Sequence, residues 1–144
     1  MNASIFTEEN FLKKLQEQGH KPTKERALVF KEVLKMPHHF NADDLAIKVH
    51  KRDQNVSRAT VYRTIPILIE FGILREVIFS EKHQNYECML GREHHEHLIC
   101  IRCRKIIEFS DERMEIPLEE ACKKNQFKPV AHKTEVTGYC KQCL

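Results

Sequence analysis

Apolar positions recur at helical spacing in four successive stretches of the first half, and alternate at strand spacing through much of the remainder. Thr7-Glu8-Glu9 opens the first stretch, with a capping hydroxyl and acids in the first turn. Phe11, Leu12 and Leu15 form its apolar stripe, and Gly19 ends it. After the connector His20-Lys21-Pro22, Thr23 caps a second helix in which Ala27, Val29, Phe30, Val33 and Leu34 recur until Pro37. His38-His39-Phe40 reads as a short loop. Asn41 caps a third helix, with Asp43 and Asp44 in its first turn and Leu45, Ile47 and Val49 beyond. After a polar break at 51–56, Ser57 caps a fourth helix from 58 to about 71, which Gly72 terminates. Residues 73–79 and 85–89 are strand-like on either side of a polar turn at 80–84.

Two short helices joined by a brief polar turn form a helix-turn-helix, and a hairpin directly after it is a wing. The second helix of that motif enters the major groove by its N-terminal end. Here that end is Ser57-Arg58-Ala59-Thr60-Val61-Tyr62-Arg63-Thr64. Arg58 and Arg63 can reach phosphates or guanine, while Thr60, Tyr62 and Thr64 can touch phosphates or thymine methyls. The competing reading is an amphipathic surface helix with ordinary cations, which the wing disfavours. Pro66 lies inside this helix and removes one backbone hydrogen bond, so the residues before it are the ones placed for DNA.

Beyond the wing the chemistry changes. His94-His95-Glu96-His97-Leu98-Ile99-Cys100-Ile101-Arg102-Cys103 packs three histidines, a carboxylate and a Cys-x-x-Cys pair into ten residues. A second pair, Cys140 and Cys143, closes the sequence. Two such pairs are the ligand arithmetic of a closed tetrahedral zinc site. No secretory signal precedes them, so a reducing cytoplasm is expected and disulfides are not. The apolar residues around Arg102-Cys103-Arg104-Lys105 predict a β-hairpin folded about the first pair. If the histidines continue its first strand, His95 and His97 face one way and His94 and Glu96 the other. One strand would then offer two separate pairs of nitrogen and oxygen donors, suited to a reversibly held first-row ion. Ser110-Asp111-Glu112 can cap a further helix ending near Asn125, with Cys122 as a small buried core residue. Residues 130–137 read as a last strand that delivers His132 and leads to the second cysteine pair.

The fold class is therefore α+β: a winged-helix DNA-binding domain at 1–89, a linker at 90–94, and a small α/β dimerisation domain with a four-cysteine zinc site at 95–144. The chain of 144 residues is long enough for one or two modest cores. No apolar run reaches the length of a membrane span. Net charge is only +3, and residues 1–89 hold 14 Lys and Arg against 12 Asp and Glu. DNA binding must therefore come from local placement of cations and not from bulk charge.

The order of these motifs resembles the ferric uptake regulator (Fur) family: winged helix, His-His-Glu-His-Leu-Ile-Cys-x-x-Cys, Lys105-Ile106-Ile107-Glu108-Phe109-Ser110-Asp111, then His132 and Cys-x-x-Cys. Ala59-Thr60-Val61-Tyr62-Arg63-Thr64 is similar to that family's recognition helix, and the likeness covers nearly the whole chain. The resemblance implies a cytoplasmic homodimeric repressor that binds palindromic double-stranded operators when a regulatory metal is bound. Pairing of dimers into tetramers stays open. By resemblance, the structural zinc is held by Cys100, Cys103, Cys140 and Cys143. The regulatory ion is held by His39, Glu87, His95, His97 and Glu108, and a third site by His94, Glu96, Glu115 and His132. For DNA it implies Tyr62 and Arg63 at the groove and Lys21 reaching the minor groove.

An all-His/carboxylate regulatory set suits Fe(II), with Mn(II), Co(II) or Zn(II) as chemical mimics. Peroxide-sensing relatives usually place aspartates where Glu87 and Glu108 stand. Cys88 departs from the family pattern, and one extra residue separates Glu87 from the histidines. If Cys88 were the ligand, the softer site would favour a zinc-uptake regulator. A zinc enzyme of the nucleobase deaminase type is the alternative of another class, since His94-His95-Glu96 ahead of Cys-x-x-Cys superficially resembles its motif. Only three residues separate Glu96 from Cys100, no proline precedes Cys100, and four cysteines leave zinc no open position. A zinc-ribbon adaptor with no sensing role is the third possibility. The expectation is a regulator and not an enzyme.

Overall fold

The structure is a computed structural model that describes residues 6–80, 83–129 and 132–144. The chain divides into a first unit ending at Arg92 and a second running from Glu93 to Leu144.

The first unit opens with four helices: α1 (Glu8–Glu17), α2 (Lys24–Val33), α3 (Ala42–Arg52) and α4 (Arg58–Glu70). Each begins where its capping residue predicts. The side-chain oxygens of Thr7, Thr23, Asn41 and Ser57 accept from the backbone N–H three residues on, at 3.2, 3.2, 2.8 and 3.2 Å. Gly19 and Gly72 follow α1 and α4 with φ of 78° and 70°, the left-handed conformation that glycine adopts at no steric cost. Replacing Asn41 by Ala is expected to cost about 1 kcal/mol in urea unfolding, because the Asp44 N–H loses its acceptor.

The apolar stripes of these helices meet in one core that contains Phe11, Leu15, Phe30, Leu45, Val61 and Leu68. Phe11 stacks on Phe30 at 4.8 Å between centroids. Glu32 is buried, and its carboxylate takes Lys35 at 2.8 Å and Arg52 at 3.5 Å, which ties α2 to α3. Helix α4 continues through Pro66.

Strands β1 (Leu74–Ser80) and β2 (His83–Cys88) pair antiparallel and form the wing. Glu81 and Lys82, in the expected turn between them, lie outside the described residues. Phe40, expected in a loop, exchanges two backbone hydrogen bonds with Tyr86, at 3.1 and 2.7 Å. That long-range bridge has no local sequence signal.

The second unit holds β3 (Glu96–Cys100), β4 (Ile106–Phe109), α5 (Glu115–Lys124) and β5 (Glu135–Gly138). β3 is central, antiparallel to β4 and parallel to β5. The predicted hairpin around the first cysteine pair is present, and Arg104 turns it with φ of 63°. His94 and His95 precede the strand instead of starting it. Asp111 accepts from Arg113 N at 3.0 Å and caps a 3-10 turn, Glu112–Met114, ahead of α5. No residue of α5 is buried, and Cys122 is half-exposed, contrary to the core role expected for it. Among the described residues, this ten-residue helix has no buried stripe for Cys122 to join. Val130 and Ala131, at the expected start of the last strand, lie outside the described residues; β5 begins at Glu135.

Candidate metal centres and nucleic-acid face

Cys100 ends β3, Cys103 sits in the turn after it, and Cys140 and Cys143 lie in the turn after β5. The parallel pairing of β3 with β5 brings the two loops together, and the four Sγ atoms lie within 4.8 Å of one another. The Cys103–Cys140 separation is 3.6 Å. Two sulfurs each ~2.3 Å from a tetrahedral zinc would lie about 3.8 Å apart, whereas a disulfide needs about 2.05 Å. The electrostatics agree. Backbone N–H groups of Cys103 and Cys140 draw the Cys100 thiol down to about 6. Burial, then the neighbouring cysteine sulfurs, push Cys143 up to about 12. Four sulfurs this close cannot all ionise without a cation among them, and a divalent soft-tolerant ion fits. Arg102 braces the pair of loops by donating to the Cys143 carbonyl at 2.7 Å.

The third predicted set also assembles inside the second unit. His94, Glu96, Glu115 and His132 offer ligand atoms within 4.8 Å of one another. His94 Nε2 is 2.5 Å from Glu96 Oε1 and 2.9 Å from His132 Nε2. Glu115 Oε1 is 3.5 Å from His94 and 3.2 Å from His132. Burial pushes the Glu96 carboxyl up, but the Thr134 N–H (2.7 Å) and the two imidazoles outweigh it and hold it below its ordinary value. Two imidazole nitrogens in contact beside two carboxylates form a nitrogen and oxygen donor set that suits a first-row divalent ion.

The five residues of the regulatory set are divided between the units. In the first, the antiparallel bridge of Phe40 to Tyr86 sets His39 opposite Glu87. Glu87 is buried, with Arg75 Nη2 3.1 Å from Oε2 and Arg92 donating to Oε1. In the second, His97 and Glu108 are direct partners across β3 and β4. The rings of His95 and His97 lie 5.1 Å apart. His95 Nδ1 is 2.9 Å from the Glu93 carbonyl, which places the proton on Nδ1 and the lone pair on Nε2. Cys88 packs against the helical core, with burial pushing its thiol up. As the next residue along β2, it faces away from Glu87.

All of the expected DNA residues except Lys21 lie at the cap and opening turns of α4. Ser57 is the cap, and its hydroxyl lies 3.0 Å from that of Thr60. Arg63 Nη2 is 3.5 Å from Thr60 Oγ1. Lys21 is exposed in the connector before α2, and its carbonyl accepts from Arg26 at 2.8 Å. Arg58 and Tyr62 are not bare. Both donate to Asp43 of α3, a residue that sequence reasoning had placed only as a first-turn acid. Those contacts, the Tyr62 hydroxyl first, hold the Asp43 carboxyl below its ordinary value. The guanidiniums on Glu87 were missed in the same way; no spacing rule links Arg75 and Arg92 to it.

The model of the ferric uptake regulator family matches residues 17–137. The ferric uptake regulation protein of Campylobacter jejuni subsp. jejuni serotype O:2 is 34% identical over 137 residues, covering 94% of this chain and 87% of that one. The solved structure of the Helicobacter pylori ferric uptake regulator, which reveals three functional metal binding sites, is similar with a TM-score of 0.72 at 29% identity, covering 96% of this chain and 95% of that one. The Campylobacter jejuni peroxide stress regulator gives a TM-score of 0.66 at 26% identity, covering 96% and 100%.

Proposed function

Because this chain belongs to the ferric uptake regulator family, we propose that it is an iron-sensing, DNA-binding repressor whose dimer is held in its DNA-binding conformation by a regulatory metal. One observation carries the reading. Each unit presents a His–Glu pair set side by side by backbone pairing, His39 with Glu87 beside the isolated Phe40–Tyr86 bridge in the first and His97 with Glu108 across β3 and β4 in the second. Each pair is a nitrogen and oxygen donor set held by main-chain hydrogen bonding. The regulatory set is then His39, Glu87, His95, His97 and Glu108. Bound by that set, a divalent ion supplies the charge that its carboxylates need. It favours the DNA-binding form only as far as that form binds it more tightly.

The orientation of Cys88 into the helical core supports Glu87 as the ligand and an all-nitrogen-and-oxygen set. Such a set suits Fe(II) or Mn(II) and weakens the zinc-uptake alternative. Zinc belongs instead to Cys100, Cys103, Cys140 and Cys143. The third set, His94, Glu96, Glu115 and His132, is an accessory divalent site. The chain acts in the cytoplasm, and none of its described helices is long and apolar enough to cross a membrane.

The second unit supports the homodimer. Leu98, Ile107 and Val136 are direct partners across β4, β3 and β5, so they share one face of the sheet, and all three are exposed. A second copy covers that face and gives the unit the core that one chain lacks. Two copies of α4 then read a palindromic duplex, with Arg58, Thr60, Tyr62 and Arg63 at the groove, Ser57 capping the helix, and Lys21 reaching the minor groove.

The test is a gel shift on a duplex enriched from a random library by the Mn(II)-loaded protein. Binding should require Mn(II) or Fe(II), and zinc analysis should give one firmly held ion per chain. DNA binding indifferent to added metal sinks the sensing reading, and zinc-dependent turnover of a nucleobase without DNA would restore the enzyme. Arg63→Ala should weaken binding by about 1 kcal/mol or more and lower the salt slope by about 1. An unchanged slope would remove Arg63 from the interface.

A further inference from the structure

Three of the four helices of the first unit carry acids in their first turns, but α4 carries none and begins with Arg58. A guanidinium at the positive end of a helix dipole opposes that dipole, so its placement calls for an anion. In the DNA-free chain the anion is Asp43, two residues after the cap of α3. Arg58 Nη2 and the Tyr62 hydroxyl both donate to Asp43 Oδ1. Arg58 Nη2 also donates to the Tyr62 hydroxyl oxygen at 3.2 Å, and its guanidinium stands 5.3 Å from the Tyr62 ring centroid. The three side chains close a triangle on the exposed end of the recognition helix. One negative charge thus neutralises one cation and fixes the ring beside it.

We propose that Asp43 is a specificity-determining residue: an internal anion that occupies Arg58 and Tyr62 and so suppresses sequence-independent binding to DNA phosphates. The inference rests on the DNA-binding reading above. A phosphate that captures Arg58 replaces one anion by another and must approach a carboxylate that repels it. That exchange gains little. A matching site offers more, because guanine presents two acceptors to a guanidinium and thymine a methyl group to an aromatic ring. Discrimination arises from the penalty on wrong sites as much as from contacts to the right one.

The experiment compares wild type with Asp43→Asn, both loaded with Mn(II), by fluorescence anisotropy over a NaCl series. The probes are the duplex enriched from a random library and a scrambled duplex of the same length and composition. Asp43→Asn should bind the scrambled duplex roughly three- to ten-fold tighter, with a log–log salt slope steeper by about 0.9 for each phosphate newly engaged. The enriched duplex should gain less, so the ratio of the two affinities falls. In Asp43→Asn/Arg58→Ala the gain on scrambled DNA should vanish, because the effect runs through Arg58. Helical circular dichroism and the thermal midpoint confirm that each variant is folded. An affinity ratio and slope unchanged in Asp43→Asn overturn the proposal, as does a gain that persists without Arg58. If the wild type itself fails to prefer the enriched duplex, the DNA-binding reading fails and the inference falls with it.

Discussion

Cys103→Ala is expected to lose its zinc, its dimer and the fold of its second unit together. Among the described residues of that unit, the buried apolar side chains are Ile99 and Cys100 alone, whereas the first unit has a continuous core from Phe11 to Tyr86. A segment with so little burial cannot offset its own conformational entropy, and metal ligation is the compensating term. Structural zinc supplies an apparent 10–16 kcal/mol, roughly, in peptides that fold around it. Loss of one thiolate breaks the closed site and leaves three sulfurs clustered without their counter-ion. The loops that carry them also end β3 and β5, so the sheet loses its anchor, and with it the apolar face formed by Leu98, Ile107 and Val136. The first unit keeps its own core and should keep its helical signal. Zinc analysis, sedimentation velocity and limited proteolysis of the full chain follow the three consequences separately. A zinc-free Cys103→Ala protein that sediments as a dimer and resists protease would show that the cysteines do not hold the unit together.

Features governed by local chemistry could be read directly from the chain. The four helix caps, the glycine stops and the hairpin about Cys100 and Cys103 each depend on a few adjacent residues, and each lies where those residues put it. The separation of His94 with Glu96 from His95 with His97 was also legible, because alternation along an extended backbone is a local rule. It holds although the first two histidines precede the strand. What escaped depends on distant parts of the chain. The Phe40–Tyr86 bridge joins residues 46 positions apart by main-chain hydrogen bonds that no side chain announces. Asp43 looked like an ordinary first-turn acid because its partners are on the next helix. Cys122 looked like core because a cysteine outside the paired sets is usually a small buried residue, yet among the described residues nothing buries any position of α5.

His97→Ala should abolish metal-activated DNA binding while the zinc and both units stay intact. His97 is the fully buried histidine of β3, paired across the sheet with Glu108 and with its ring against that of His95. Its backbone N–H, bonded to the Thr134 carbonyl at 3.3 Å, survives the substitution, and so does the cysteine cluster at the far end of the strand. The imidazole donor alone is lost. Removing groups that merely orient a metal ligand typically costs 10- to 100-fold in affinity, so losing the ligand itself should shift the Mn(II) midpoint by about 100-fold or more. A 100-fold shift is about 2.7 kcal/mol, enough to empty the site at the concentrations that saturate wild type. Removal of a buried ring also leaves a cavity, and Glu108→Gln controls for it. Glu108 is partly exposed, and its amide keeps the side chain's shape while removing the charge. Both variants should keep one zinc per chain and their helical signal, and both should need far more Mn(II) to shift the enriched duplex. His94→Ala, altered only in the third set, should keep most of the response. If His97→Ala and Glu108→Gln both titrate like wild type, the ion that controls DNA binding sits elsewhere, and the paired donors of the two units are not its ligands.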